Sequence, residues 1–358
     1  MASELLIGVL PASGVPMPPG SGTPMQTMHG LMWMPSAPPT VARLFAFHLQ
    51  PVPILPALAV LLVAAYLFAV AVMHRRGDRW PLTRTVWWMA GIATLLLMTA
   101  TGFDGYGMEL FSIHMLQHMV VNMLTPILLV LGAPVTLLLR ALPAAHGRRR
   151  NVRAVVLVVL HSRVAQFVTH PVVTLGLFLL SLYGLYFTPL FDYLMSTMWG
   201  HNLMLLHFLA IGALYFWGVI GVDPSPRNSG RGLRQLSKPV LRVIELAVTV
   251  PFHAFFGVVV MMSAALIVHY YAAPIPGWGI SPLSDQQVGG GIAWGFTEFP
   301  TLIVLGVLFG QWQKADTRNT RNTDRKAVRD GDAELNEYNA RLAALAAHDG
   351  RPSGSGRS

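Results

Sequence analysis

FSIHMLQHMVVNMLTPILLVLGAPVTLLLRAL, residues 111–142, carries no charge before Arg140. A bilayer core asks for about 20 consecutive apolar residues in a helix, and this stretch exceeds that. It therefore reads as a membrane span, and the rest of the chain agrees. Of 358 residues 53% are hydrophobic and only 11% charged, whereas soluble domains are about 25% charged. We read an all-α membrane protein built as a seven-transmembrane-helix bundle. The spans are expected at 54–73, 86–101, 113–139, 166–187, 200–221, 240–270 and 290–312. Pro126 and Pro134 in the third and Pro251 in the sixth remove backbone donors and should bend those helices.

Charge placement orients the bundle, because basic residues near span ends stay on the cytoplasmic side. Arg75, Arg76, Arg79 and Arg84 follow the first span; Arg140, Arg148, Arg149, Arg150 and Arg153 the third; Arg227, Arg231, Arg234 and Lys238 the fifth; Lys314 and Arg318 the seventh. Loops 102–112, 188–199 and 271–289 hold no lysine or arginine. The N-terminus is expected outside and the C-terminus inside. The formal net charge of +9 follows from this asymmetry and does not point to nucleic acid.

Three regions follow: an external Met/Pro/Gly-rich tail at 1–53, the membrane domain at 54–312, and a charged, partly disordered cytoplasmic tail at 313–358. The opening MASELLIGVL is too short for a span and lacks a basic leader. MQTMHGLMWM, residues 25–34, gathers Met25, Met28, His29, Met32 and Met34, whose thioethers suit Cu(I). A short amphipathic helix is expected from Ala333 to Ala347. There is no Gly-rich phosphate loop and no Ser/His/Asp arrangement, so a non-enzymatic role is expected.

The chain has thirteen histidines and no cysteine. Any soft-metal chemistry must use imidazole and thioether. His114 and His118, four apart, share one helix face, with Met115 and Met119 as a stripe about 100° away. Counted at about 1.5 Å per residue, His201, His207, His269 and His48 lie at a compatible depth. The expected metal set is therefore His114, His118, His201, His207 and His269, with His48, Met115, Met119, Met28 and His29 as auxiliaries and copper as the metal. Deeper, His253 and Glu298 both reach mid-membrane, where ionisable groups are costly and paired. Asp285 and Gln286, in SPLSDQQVGGGIAWG, are read as loop residues that cap a span or orient an outer histidine. His170, before Pro171, is read as a helix cap.

Taken together, FSIHMLQHM, TPILLVLGAPVTLLLRAL, HPVVTL, HNLMLLHF and SDQQVGGGIAWG resemble the polytopic CtaG family of cytochrome c oxidase assembly factors, over roughly residues 50–312. The resemblance implies a multi-pass protein of the bacterial plasma membrane, needed to make active haem-copper oxidase, with cytochrome c oxidase subunits, subunit I above all, and the lipid bilayer as partners. It maps motif histidines onto His114, His118, His170, His201 and His207, and the acidic loop motif onto Asp285 and Gln286. Two other readings stand beside copper-centre assembly. One is a haem-binding redox protein using His118 and His207; the other is a copper or proton transporter using His253 and Glu298.

Overall fold

The computed structural model describes residues 32–143, 152–226, 238–330 and 333–349. Met25, Met28, His29 and the arginines at 148–150, 227, 231 and 234 lie outside the described residues. The described chain is helical: α1 Val41–Phe45, α2 Ile54–Arg75, α3 Leu82–Thr99, α4 Gly102–Glu109, α5 Phe111–Met119, α6 Thr125–Leu131, α7 Pro134–Ala141, α8 Val152–Leu160, α9 Arg163–Val168, α10 Pro171–Tyr186, α11 Leu190–Met195, α12 Met198–Ile220, α13 Lys238–Met262, α14 Pro282–Asp330 and α15 Ala333–Asp349. A π turn, Val120–Leu124, joins α5 to α6.

Among the described residues, six segments are long and apolar enough to cross a membrane: Ile54–Arg75, Leu82–Thr99, Phe111–Ala141, Trp199–Ile220, Leu241–Met262 and Pro282–Lys314. At the place of the expected fourth span stands α10, with 16 residues. That is about 24 Å, short of the roughly 30 Å hydrocarbon core. The cause is local. The residue before a proline is pushed out of the helical region, and His170 is extended, so the helix begins at Pro171 rather than near 166. The His170 ring makes no cap bond, contrary to the sequence reading; instead the Thr174 hydroxyl donates to the His170 carbonyl.

The opening stretch forms the centre of the bundle. Over its most apolar window Phe111–Ala141 is 78% buried, against 28–56% for the other five. Its ends are held by carboxylates from distant parts of the chain. Asp285, at the start of α14, accepts from the Ser112 backbone N–H at 3.3 Å and from the Ser112 hydroxyl. Asp223, just after α12, accepts from the N–H groups of Val135 and Thr136 at 3.0 and 2.9 Å and from the Thr136 hydroxyl. These are the donors a helix start leaves without partners. Asp285 therefore caps the central element, not its own span or a histidine. Ala133, with φ 52°, turns the chain sharply into Pro134 and separates α6 from α7.

The sixth span ends at Met262 rather than near 270. The Ser263 hydroxyl donates to the Ala265 carbonyl and accepts from the Ala265 N–H, a local alternative to the helical ladder. Helix α14 runs unbroken to Asp330, through the expected boundary at 312/313. Helix α15 matches the short helix expected from Ala333.

Helices α13 and α14 cross through bare backbone. A Cβ on Gly290 would meet the Met261 backbone nitrogen at 2.3 Å, while one on Gly295, a turn further, would meet nothing within 4 Å. Gly290→Ala is expected to lose about 1–3 kcal/mol, the usual cost of overpacking. Gly295→Ala should hold or gain stability through helix propensity. Thermal unfolding of the detergent-solubilised protein compares the two, and equal melting temperatures would refute the close crossing.

Candidate functional site

The three loops without lysine or arginine lie together at one end of the bundle. The Tyr271 hydroxyl donates to the Gly107 carbonyl at 2.6 Å, and the Tyr270 N–H to Asp192 Oδ1 at 2.9 Å. A strap formed by residues 32–50 lies over this end. The Trp33 N–H donates to Gln50 Oε1, the Tyr106 hydroxyl to the Ala37 carbonyl, and Phe47 pairs with Thr101. Gly105 admits the Trp33 ring, which a Cβ there would meet at 2.4 Å.

Beneath the strap, α5 presents His114 and His118, both 0% exposed. The two histidines play different parts. His118 lies flat on Phe208, with ring centres 3.8 Å apart, and both its nitrogens are engaged. Nδ1 shares a 2.6 Å hydrogen bond with the Tyr186 hydroxyl and Nε2 contacts the Asn122 amide at 3.4 Å. It therefore has no nitrogen left for a metal or for an axial haem bond. His114 uses Nε2 on the same Tyr186 hydroxyl, at 3.1 Å, and its Nδ1 is buried without a partner. His201, on α12, is 1% exposed and its Nε2 is likewise without a partner.

The His114 and His201 ring centres are 6.1 Å apart, and Phe191 and Tyr271 lie against the His114 ring, with centres 5.1 and 6.4 Å from it. A metal bound about 2.0–2.1 Å from an imidazole nitrogen stands about 3 Å from the ring centre, so two imidazoles on one ion have centres up to about 6 Å apart. The observed separation fits two ligands nearly opposite one another. Among the described residues no three of His, Asp and Glu come together as a metal site. Met115, Met119, Met195 and Met204 are buried in the same core.

The remaining expected ligands lie elsewhere. His207 faces outward, where its Nε2 and the Ser181 hydroxyl lie 2.8 Å apart. Six residues at 100° each put it about 240° round the helix from His201. His269 sits in a 3-10 turn, 3.9 Å from Asp192, with its side chain 76% exposed. His48 stacks on Trp33 in the strap, with centres 3.7 Å apart. Met28 and His29 lie outside the described residues.

The deeper pair does not form. His253 shares a 2.8 Å hydrogen bond with the Thr297 hydroxyl, and Glu298 is exposed. Adjacent residues on a helix point about 100° apart, so turning Thr297 inward turns Glu298 out. Gln286 ties the loop after α13, accepting from the Ile267 N–H and donating to the Ala265 carbonyl.

Tyr186, Asn122, Asp104 and the buried Glu245 carry polar chemistry that the sequence reading passed over. Asn122 was the most accessible of these, as an amide in an otherwise apolar run.

A family model described as "Cytochrome c oxidase caa3 assembly factor" matches residues 64–315. The chain belongs to this family. Among curated relatives, an uncharacterized protein of Mycobacterium bovis, Mb0105, is 42% identical over 311 residues, covering 86% of this chain and 46% of its own. An uncharacterized protein of Mycobacterium leprae, ML1998, is 40% identical over 312 residues with the same coverage. The chain thus spans about half the length of the curated relatives it matches. No solved structure matches it.

The strap and the histidine helix meet at Asp104, in α4. Its Oδ1 accepts from Gln117 Nε2 at 2.8 Å, and Gln117 also donates to the Met98 carbonyl. Burial raises the Asp104 carboxyl from 3.8 to about 7, with the Gln117 and Gln50 amides pulling the other way. A carboxyl raised in the folded state contributes stability below its unfolded value and loses it as pH climbs through the folded one. The melting temperature in detergent should therefore fall between about pH 4 and pH 7. Asp104→Asn keeps the acceptor and should remove most of that slope; an unchanged slope would mean that Asp104 is not its source.

Proposed function

We propose that this assembly factor helps to fill the copper-containing centre of oxidase subunit I. It would receive Cu(I) from the outer side of the bacterial plasma membrane at His114 and His201, and yield it to competing ligands of the nascent subunit. The role is that of a non-enzymatic metal carrier. The arrangement proposed is seven spans, with α10 as the short fourth, the N-terminus outside and the C-terminus in the cytoplasm.

One observation carries the metal assignment: two buried imidazoles, 6.1 Å apart, each retain a ring nitrogen without a partner. A buried polar atom left unpaired costs free energy, so two on neighbouring rings are unusual unless something pairs with them. Membership of the family supports an oxidase as the recipient, and the arginine-free loops support the outer side. The donors are neutral imidazole and thioether, a set that suits Cu(I) better than a hard divalent ion.

The purified protein is expected to bind about one Cu(I) per chain. His114→Ala/His201→Ala should weaken binding at least tenfold, while His207→Ala changes little. Oxidase from a deletion strain should lose copper while retaining haem. Full copper content in the oxidase of the double variant would sink the metal reading and leave a scaffold.

A further inference from the structure

His114 is one end of a buried hydrogen-bonded chain. From the far end it runs from the Asn122 amide to His118 Nε2 at 3.4 Å, from His118 Nδ1 to the Tyr186 hydroxyl at 2.6 Å, and from that hydroxyl to His114 Nε2 at 3.1 Å. All four residues are at most 1% exposed. The only unpartnered atoms in the chain are its two termini, Asn122 Oδ1 and His114 Nδ1.

A neutral imidazole and a phenol each have one proton to donate, so the chain has a direction. If the Asn122 NH2 donates to His118 Nε2, then His118 Nδ1–H donates to Tyr186 and Tyr186 donates to His114 Nε2. His114 Nδ1 then carries a proton and cannot ligate a metal. If the Asn122 carbonyl accepts instead, every bond reverses and His114 Nδ1 presents a lone pair. Both arrangements hold the same number of protons and the same charge, and passing from the first to the second takes a proton off His114 Nδ1 and puts one on His118 Nε2, with water as the carrier. The Asn122 amide exchanges its ends by rotating, and its 3.4 Å contact is already long for a hydrogen bond.

Packing makes this chain a device rather than a chance contact. His118 is fixed between Phe208 and Tyr186, whose ring is 5.4 Å away and nearly parallel. Asn122 sits in the π turn, a local widening that recurs at functional sites. The turn is pinned from outside by α12: a Cβ on Gly212 would lie 2.0 Å from the Asn122 carbonyl oxygen.

We infer that Tyr186, His118 and Asn122 are positioning residues that set whether His114 offers a lone pair or a proton to its pocket, through the orientation of one amide. The inference rests on the copper reading above for its purpose, but not for its geometry. It requires His114 and His118 to share one tautomer, both Nδ1–H or both Nε2–H, because the single Tyr186 proton couples them.

Nitrogen NMR on the full-length protein carrying isotope-labelled histidine tests this directly. In metal-free protein the two residues should show matched tautomers, and Cu(I) should shift both to Nε2–H. Tyr186→Phe keeps the ring and should uncouple them; Asn122→Val should leave them matched but remove the preference. Both variants should weaken Cu(I) binding about 10–100-fold, the usual range for groups that orient a ligand. Unmatched tautomers in the metal-free wild type would overturn the inference, as would Tyr186→Phe binding Cu(I) as tightly as wild type. A wild type with matched tautomers but no Cu(I) binding would instead remove the copper reading and leave the chain standing.

Discussion

The capping of the central helix by carboxylates it does not own holds the bundle together. Asp285 lies 173 residues from Ser112, and Asp223 lies 88 from Val135. A helix start that faces lipid or packed side chains has no water to satisfy its free N–H groups, so partners must come from protein. The central segment is the most enclosed of the six, and both its helix starts recruit an aspartate from the end of another span. Asp285 ties α14 to the centre and Asp223 ties α12. The level at which His114 meets His201 therefore depends on where Asp285 and Asp223 bind.

The same enclosure explains which parts of the fold were legible in sequence. Hydropathy reports length, and six of the expected spans agree with the long helices within a few residues at most ends. The errors fall where local chemistry overrides composition: Pro171 delays α10, and Ser263 ends α13 early. The continuous α14 shows the converse, since a charged sequence with good helix formers extends a span beyond the apolar stretch.

At the site, counting residues gave height but not direction round the helix. Of His114, His118, His201 and His207, only His114 and His201 combine neighbouring buried rings with unpartnered nitrogens. The angular information was present for two cases. His201 and His207 are six apart and point to different faces, and a helix that buries Thr297 cannot also bury Glu298. What no single sequence contains is which aromatic residue fills the gap between two histidines. Tyr186 closes α10, some seventy residues from them, and only packing brings its hydroxyl to both rings.

The charges around His114 and His201 bear on which ion the proposed site would take. Three of the carboxylates at this end are already committed: Asp285 to Ser112, Asp192 to the Tyr270 N–H, and Asp104 to Gln117. None joins His114 and His201 as a third ligand among the described residues. A cation there would keep its full charge in a medium that solvates poorly, and the Born cost rises with the square of the charge. A divalent ion would therefore cost about four times as much to seat as a monovalent one, with the same two neutral donors to offset it. Hard divalent ions are disfavoured twice, by charge and by the absence of oxygen ligands. A soft monovalent ion would meet only the smaller charge penalty and would need no oxygen ligands.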